Sequence, residues 1–476
     1  MSNKVSTRFV VIGSGPGGYA AAFRLADLTR KESSGNREVN VVLIEKHSTL
    51  GGVCLNVGCI PSKALLHMAE VVNSVEEVSG HGLTYGKPKI DVKKIVDWKD
   101  SIISHLTQGL KGLARQRKVK VLHGEAQFIG PNQIQIKGDS DTIVDFDKAI
   151  IASGSENVNL PFIPQDDPRI LDSTTALNLS KTNGKLAVLG GGIIGCEMAT
   201  VYRALGAEVD VIEMLPQIMP GADVDLVRPC QKIMEKRGVK FYLSTQVSGV
   251  KAGKNGLTVS FKEGQDKVYD QMLVSVGRRP KGADVGAEHA GVKVDERGFI
   301  PVDECLTTNQ RHIYAIGDVC GNPMLAHKAA AEGRLVAEVV HGKRVKFDAQ
   351  CIPSVAYTDP EVSWVGKTEA ELKKEGIAYD KGVFPWAASG RSLCLGRSEG
   401  LTKLLACKES GRVLGGGVVG KSAGDIISEV ALAIEMGCYI EDIELTIHPH
   451  PTLSETIGLA AEACMGTITD LYMPKD

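Results

Sequence analysis

The sequence has few aromatic residues, no dominant charge sign, no long apolar run and no cysteine framework. Aromatics make up 5% of its 476 residues. Lys and Arg number 55 against 57 Asp and Glu, a formal net charge of −2, so the basic excess of a general nucleic-acid binder is missing. No apolar stretch approaches the ~18 residues that read as a membrane span. The N-terminal run MSNKVSTRFVVIGSG passes straight into a glycine turn. It lacks the apolar h-region and cleavage site of a secretory leader, and it is no Arg-rich transit peptide; the expectation is a cytoplasmic protein. Eleven cysteines are spread over the whole chain, unlike the framework of a small secreted domain. Nine of them, including Cys196, Cys230 and Cys438, stand alone and read as small buried hydrophobes. No paired Cys/His clusters suggest a zinc site, and no metal is expected.

Glycine, by contrast, is abundant at 53 residues, while 43% hydrophobic and 24% charged residues are ordinary globular values. At roughly 150 residues per domain the length allows about three domains. RFVVIGSGPGGYAAAFRLADL reads as strand, glycine turn and helix. Gly13, Gly15 and Gly18 fill a G-x-G-x-x-G turn that brings backbone N–H groups to a pyrophosphate at a helix N-terminus. Glu45, ending VVLIE, is the acid for the adenosine ribose; a polar insertion at 29–40 explains its long spacing from the turn. About 175 residues on, the unit repeats as KLAVLGGGIIGCE, a period that means duplicated domains. Gly190, Gly192, Ile194 and Gly195 form the second turn, and Glu213 ends the next strand. A carboxylate there bonds a ribose 2′-OH and repels a 2′-phosphate, which favours NAD over NADP. Two such sites in one chain suggest a flavin and a nicotinamide. After Gly342 the texture changes to strands such as SVAYT and TKLLAC, then helices at 422–437 and 454–465. The expected fold is α/β: two Rossmann-like dinucleotide-binding domains (1–155 with a return at 283–350, and 156–282) plus a C-terminal α+β domain (351–476).

Between the two turns lies Cys54-Leu-Asn-Val-Gly-Cys59. On an unbroken helix, residues five apart are separated by about 7.5 Å of rise, whereas a disulfide needs Cα atoms within about 7 Å. Either the thiols stay apart or the helix start is distorted; Asn56 and Gly58 permit distortion, and Pro61 tolerates only a first-turn position. A strained, accessible disulfide is the catalytic sort; the bland alternative is two buried thiols. Lys63, one turn on, is suited to pair with a carboxylate, to stabilise a reduced flavin, or simply to be solvated. Near the C-terminus His450 sits between Pro449 and Pro451, which restrict its backbone. Glu455 is a candidate partner for it as a general base. Thr452-x-x-Glu455 also reads as a capping box before the apolar helix 457–465; both readings can hold. His448 is taken as structural.

GGVCLNVGCIPSKAL (51–65), IIGCE (193–197), AIGDV (315–319), MLAHKA (324–329), FPWAASGR (384–391) and HPHPTLSE (448–455) together resemble the pyridine nucleotide–disulfide oxidoreductases over essentially the whole chain. The likeness is greatest to the branch that oxidises protein-bound dihydrolipoamide with NAD. The resemblance implies a homodimer using FAD and NAD, with the C-terminal domain as its interface. Cys54 then exchanges with lipoamide and Cys59 lies beside the flavin, while His450 and Glu455 act in the partner's site. It also implies flavin contacts at Asp318, Ala326, Lys63 and Ala126, the last where glycine is frequent, and nicotinamide contacts at Glu197, Val247 and Gly277. The implied partners are lipoyl domains and the E2 core of 2-oxo acid dehydrogenase complexes (pyruvate, 2-oxoglutarate), and the H protein of glycine cleavage. Lys281 stands where an Asn is typical, and Cys464 is single where mercuric reductases carry a pair. A rival within the class is another NAD-linked flavin disulfide reductase for a small disulfide; a rival outside it is a non-catalytic binding module.

Overall fold

The computed structural model describes residues 3–32, 39–138 and 141–472. Half of the expected insertion at 29–40, residues 33–38, lies outside the described residues. The chain groups into two compact units: residues 1–62, 96–158 and 277–348 form one, and 63–95, 159–276 and 349–476 the other.

In the first unit the strand Asn3–Ile12 lies between Val39–Glu45 and Thr142–Ile151, parallel to both. Lys120–His123 extends the parallel part beyond Val39–Glu45, and Ile313–Ala315 pairs with the end of Thr142–Ile151. The apolar runs FVVI and VVLI are buried on both faces, as parallel strands covered by helices require. VKVLHGEAQFI splits into two strands at Gly124, whose φ of +144° suits glycine. The helix Pro16–Leu28 packs on Ala326–Val340 through glycines: a Cβ on Gly333 would fall 2.3 Å from the Gly17 carbonyl oxygen. The buried stripe of that second helix, Ala329, Gly333, Val336, Ala337 and Val340, recurs at helical spacing but is built of small residues.

In the second unit a five-stranded parallel sheet runs Val239–Tyr242, Glu208–Ile212, Lys185–Leu189, Gln271–Val274 and Ile170–Leu171. A five-stranded antiparallel sheet follows, from Ser354–Ala356 to Tyr379–Pro385 at its edges, with the helices Ala423–Glu435 and Glu455–Met465 against it. The fully buried Lys403 ammonium lies 2.7, 2.6 and 3.1 Å from the carboxylates of Asp223, Asp225 and Glu369. The buried ammonium would be costly without these half-buried carboxylates.

The reading of nine isolated cysteines as buried is corrected. Cys196 and Cys230 are buried, but Cys394 is exposed and the other six, Cys438 among them, are half-buried. Burial pushes the Cys196 thiol well up and the Cys230 thiol up to about 12, so both stay protonated and inert.

Candidate active site

Both glycine turns have the same construction. Gly13 and Gly190 close the turns at φ +97° and +103°. The last glycines allow the helix to approach its strand: a Cβ on Gly18 would lie 1.8 Å from the Gly13 carbonyl oxygen, and one on Gly195 2.0 Å from that of Gly190. The middle glycines, Gly15 and Gly192, cap the helices, yet a Cβ on either would meet nothing within 4 Å. Neither helix start has a side-chain cap. The unmet N–H groups therefore border open space, the form of a phosphate cradle. This construction fits two dinucleotides.

The strand-end acids are buried, not solvated. Glu45 Oε2 accepts the Ser14 N–H at 3.0 Å and its hydroxyl at 2.6 Å, and Oε1 accepts the His47 N–H at 2.9 Å. Glu213 accepts the N–H of Gly191 at 2.7 Å and of Leu215 at 2.8 Å. Each carboxylate is held at the mouth of its own turn. The part of Ser14, the unnamed x of the motif, was not legible.

The cysteine loop packs on the first turn. Gly51 donates to the Ser14 carbonyl at 3.0 Å, and a Cβ on Gly52 would lie 2.6 Å from the Gly15 Cα. Helix begins earlier than expected: Gly52–Val57 carries Cys54, and Cys59–Val78 opens with Cys59. Between them Gly58 breaks the helix at φ −144°, ψ −112°. A Cβ there would meet the Val53 carbonyl oxygen at 2.9 Å and the Cys54 Cα at 3.1 Å, so the chain folds back on Cys54 just before Cys59. The helix is thus interrupted between the two cysteines, as Asn56 and Gly58 permit. Asn56 secures it by donating to the carbonyls of Leu50 (3.0 Å) and Gly52 (2.9 Å). Both cysteines are half-buried.

Asp318 lies in the short turn Gly317–Val319, and Ala326 opens the helix Ala326–Val340. The Asp318 carboxylate accepts the Ser155 hydroxyl. Ser155 accepts in turn from Arg278 Nε at 2.7 Å. Glu332, buried beside Lys328 (2.7 Å), accepts the Gly317 N–H at 2.7 Å and fixes the turn. Ser155, Arg278 and Glu332 were missed because no local motif marks them. Ala126 is buried in the strand Glu125–Gly130. Gly277, at φ +124°, falls in the first unit, and a Cβ on it would meet nothing within 4 Å.

In the second unit Ile194 and Glu197 lie on the helix Ile193–Ala204, and Val247 begins the strand Val247–Gly253. Lys63 Nζ contacts both oxygens of the buried Glu197, at 2.9 and 3.0 Å. Pairing with a carboxylate thus wins over the solvated reading of Lys63. His450 Nδ1 is 2.9 Å from Glu455 Oε2. The imidazole is 80% exposed and Glu455 only 12%, so the acid and the flanking prolines, not packing, orient the ring. The expected capping box is not formed. Thr452 Oγ1 accepts the Glu455 N–H at 3.2 Å, but the Glu455 carboxylate turns to His450, and Ser454 is the N-cap. His448 Nε2 lies 2.6 Å from Glu429, whose carboxylate raises its pKa.

Residues 7–333 match the family model of pyridine nucleotide-disulphide oxidoreductases, and residues 352–461 match that of the family's dimerisation domain. The chain is 52% identical to dihydrolipoyl dehydrogenase of Vibrio cholerae, over all of this chain and 99% of that protein. With the protein of the same name from Haemophilus influenzae it shares 51%, over all of this chain and 98% of the relative. Among solved structures, LpdA from Mycobacterium tuberculosis superposes with a TM-score of 0.88 at 24% identity, covering 96% of this chain and 99% of that one, a likeness of fold. The flavoprotein disulfide reductase RclA from Escherichia coli gives 0.85 at 26%, covering 97% and 99%. The chain belongs to the pyridine nucleotide-disulphide oxidoreductase family and carries its dimerisation domain.

Proposed function

We propose that this protein is a homodimeric dihydrolipoamide dehydrogenase, which oxidises protein-bound dihydrolipoamide to lipoamide and reduces NAD+ to NADH. The observation that carries the reading is the fold-back at Gly58, which brings the chain before Cys59 onto Cys54 against the first glycine turn. The 52% identity to a dihydrolipoyl dehydrogenase over the full length supports the substrate class.

The cofactors are FAD and NAD. FAD is assigned to residues 1–155 and 283–350, held by Gly13, Gly15, Gly18, Glu45, Ala126, Asp318 and Ala326. NAD is assigned to 156–282, held by Gly190, Gly192, Ile194, Gly195, Glu213 and Val247; Gly277, which falls in the first unit, is not assigned to it. Residues 351–476 form the interface. When bound, FAD would supply a two-electron acceptor for the reduced cysteines, and NAD+ a hydride acceptor for the flavin.

The protein's own residues carry the thiol chemistry. One substrate thiol loses its proton to His450 and attacks Cys54 of the Cys54–Cys59 disulfide, and Cys59 leaves as a thiolate. The second substrate thiol attacks the mixed disulfide, forms the lipoamide S–S bond and releases the Cys54 thiol. Two electrons enter the cysteine pair. Glu455 fixes Nδ1, which leaves Nε2 for proton transfer. The exposed imidazole suits a base supplied across the dimer to the partner's cysteines. Lys63, held by Glu197, supplies positive charge toward the reduced flavin.

The reaction partners are lipoyl domains on the E2 core of 2-oxo acid dehydrogenase complexes for pyruvate and 2-oxoglutarate, and the glycine-cleavage H protein. The setting is the cytoplasm. No helix among the described residues is long and apolar enough to cross a membrane. The test is NADH formation from dihydrolipoamide and NAD+ by the purified yellow protein, with NADP+ as control. Turnover with NAD+ alone establishes reaction and cofactor preference together. No turnover in flavin-loaded protein with an intact disulfide refutes the lipoamide assignment and leaves a small-disulfide reductase.

A further inference from the structure

The Lys63–Glu197 pair has a third member that no sequence motif marks. Tyr357 follows the strand Ser354–Ala356. Its backbone N–H donates to Glu197 Oε1 at 3.0 Å, and its ring centroid lies 4.4 Å from Lys63 Nζ. One residue thus touches both partners, the acid through its amide and the ammonium through its ring. Glu197 is nearly fully buried, at 4% exposure, while Lys63 keeps 34%. The carboxylate is therefore fixed and the lysine is the movable partner. A lysine stem has four rotatable bonds, and contact with Glu197 alone leaves the ammonium able to swing about the acid. An aromatic face on a second side removes that freedom and takes the place of water around the charge.

We propose that Tyr357 is a positioning residue: it holds the Lys63 ammonium in place and so sets how much of its positive charge reaches the reduced flavin. The proposal rests on the flavin-facing reading of Lys63 given above. A cation–π contact at a partly exposed site is worth about a two- to fivefold change in an equilibrium. The backbone N–H survives any non-proline substitution, so side-chain changes isolate the ring.

The test uses the flavin-loaded holoenzyme, equilibrated without oxygen at fixed NADH/NAD+ ratios, with reduced and oxidised flavin read from absorbance. Flavin content and thermal unfolding report the fold. For Tyr357→Phe the reduced-to-oxidised ratio should stay near wild type. For Tyr357→Leu it should fall about two- to fivefold, and in a series of increasingly fluorinated phenylalanines at 357 it should fall step by step as the ring loses electron density. Lys63→Met should lower it as well, with Tyr357→Leu adding nothing in that background. If Lys63→Met shifts the ratio and Tyr357→Leu does not, Tyr357 has no such role. Additive effects in the double variant also overturn the proposal, because the ring would then act by another route. If Lys63→Met leaves the ratio unchanged, the flavin role of Lys63 falls and this proposal with it. Should Tyr357→Leu fail to fold, the fluorinated series, which keeps the ring's shape, decides.

Discussion

Gly58→Ala tests the geometry of the cysteine loop most directly. The added methyl carbon would sit 2.9 Å from the Val53 carbonyl oxygen and 3.1 Å from the Cys54 Cα. Both are backbone atoms, so no side chain can rotate away, and relief requires Cys54 and Cys59 to move apart. In the dithiol state the loop can open. In the disulfide state Cβ atoms must stay within about 4.5 Å of each other, and the overlap cannot be relieved. Overpacking of this kind costs about 1–3 kcal/mol, borne by the oxidised form. For a two-electron couple 1.4 kcal/mol corresponds to about 30 mV, so the cysteine couple should become more oxidising by about 20–65 mV. The first glycine turn is untouched, so flavin content should stay at wild type. The assay is redox titration of the cysteine pair in glutathione or dithiothreitol buffers, with thiols counted by alkylation, beside flavin absorbance. A wild-type potential in a folded, flavin-loaded Gly58→Ala protein would refute the reasoning, because the fold-back would then place no constraint on the pair.

Gly15→Ala should fold, since its Cβ enters open space, but lose at least about tenfold in FAD affinity because the methyl fills the phosphate cradle. Gly18→Ala, overlapping the Gly13 carbonyl at 1.8 Å, should fail to give soluble protein at all; expression with flavin absorbance distinguishes the two. Glu455→Gln keeps an acceptor for His450 Nδ1 but removes the charge, and should lower kcat with dihydrolipoamide about 100-fold while NADH-driven reduction of the flavin is spared. Glu213→Gln should raise KM for NAD+ about tenfold and narrow the preference over NADP+, read from paired kinetics with the two nucleotides. Glu429 raises the pKa of His448, so that contribution to stability is complete below about pH 6.5 and is lost as pH rises through the folded value. His448→Gln should therefore lower Tm on the acid side by an amount worth at most about 1 kcal/mol and merge with wild type at alkaline pH.

What the sequence made legible is what short-range chemistry dictates. The two glycine turns, the cysteine pair and the His450–Glu455 pair each lie within a few residues, and their spacing alone restricts the backbone. The strands leading into the turns were legible because burial on both faces needs unbroken apolar runs such as FVVI and KLAVL. The contacts that fix these groups are long-range: Lys63 and Glu197 are 134 positions apart, Ser155 and Asp318 are 163 apart, and the chain between them carries no sign of either pairing. The capping box failed for a related reason. Thr452-x-x-Glu455 is a sound local signal, but the same carboxylate had a competing partner in His450 and took it. The half-buried cysteines show the reverse error, where a residue-type preference stood in for packing that only the fold decides.

On the proposed assignment, the two strand-end acids serve a resident cofactor and an exchanging one. An ionised carboxylate has about four acceptor positions. Among the described residues, Glu45 has three taken: the Ser14 N–H, the Ser14 hydroxyl and the His47 N–H. Glu213 has two taken, one on each oxygen. Both retain capacity for a further donor, such as the ribose hydroxyl of the proposed nucleotide, without breaking their anchoring bonds. The extra bond in the first site comes from Ser14, which also accepts the Gly51 N–H at 3.2 Å and so ties Glu45 to the cysteine loop. On the proposed assignment, stiffness there serves a flavin held against the two thiols. The second acid carries no such tie, and Gly191 follows a glycine and precedes another. A site that takes up NAD+ and releases NADH at every turnover gains from that looser construction. On this argument a Ser14→Ala change should loosen the grip on FAD and the cysteine loop together while leaving KM for NAD+ unmoved.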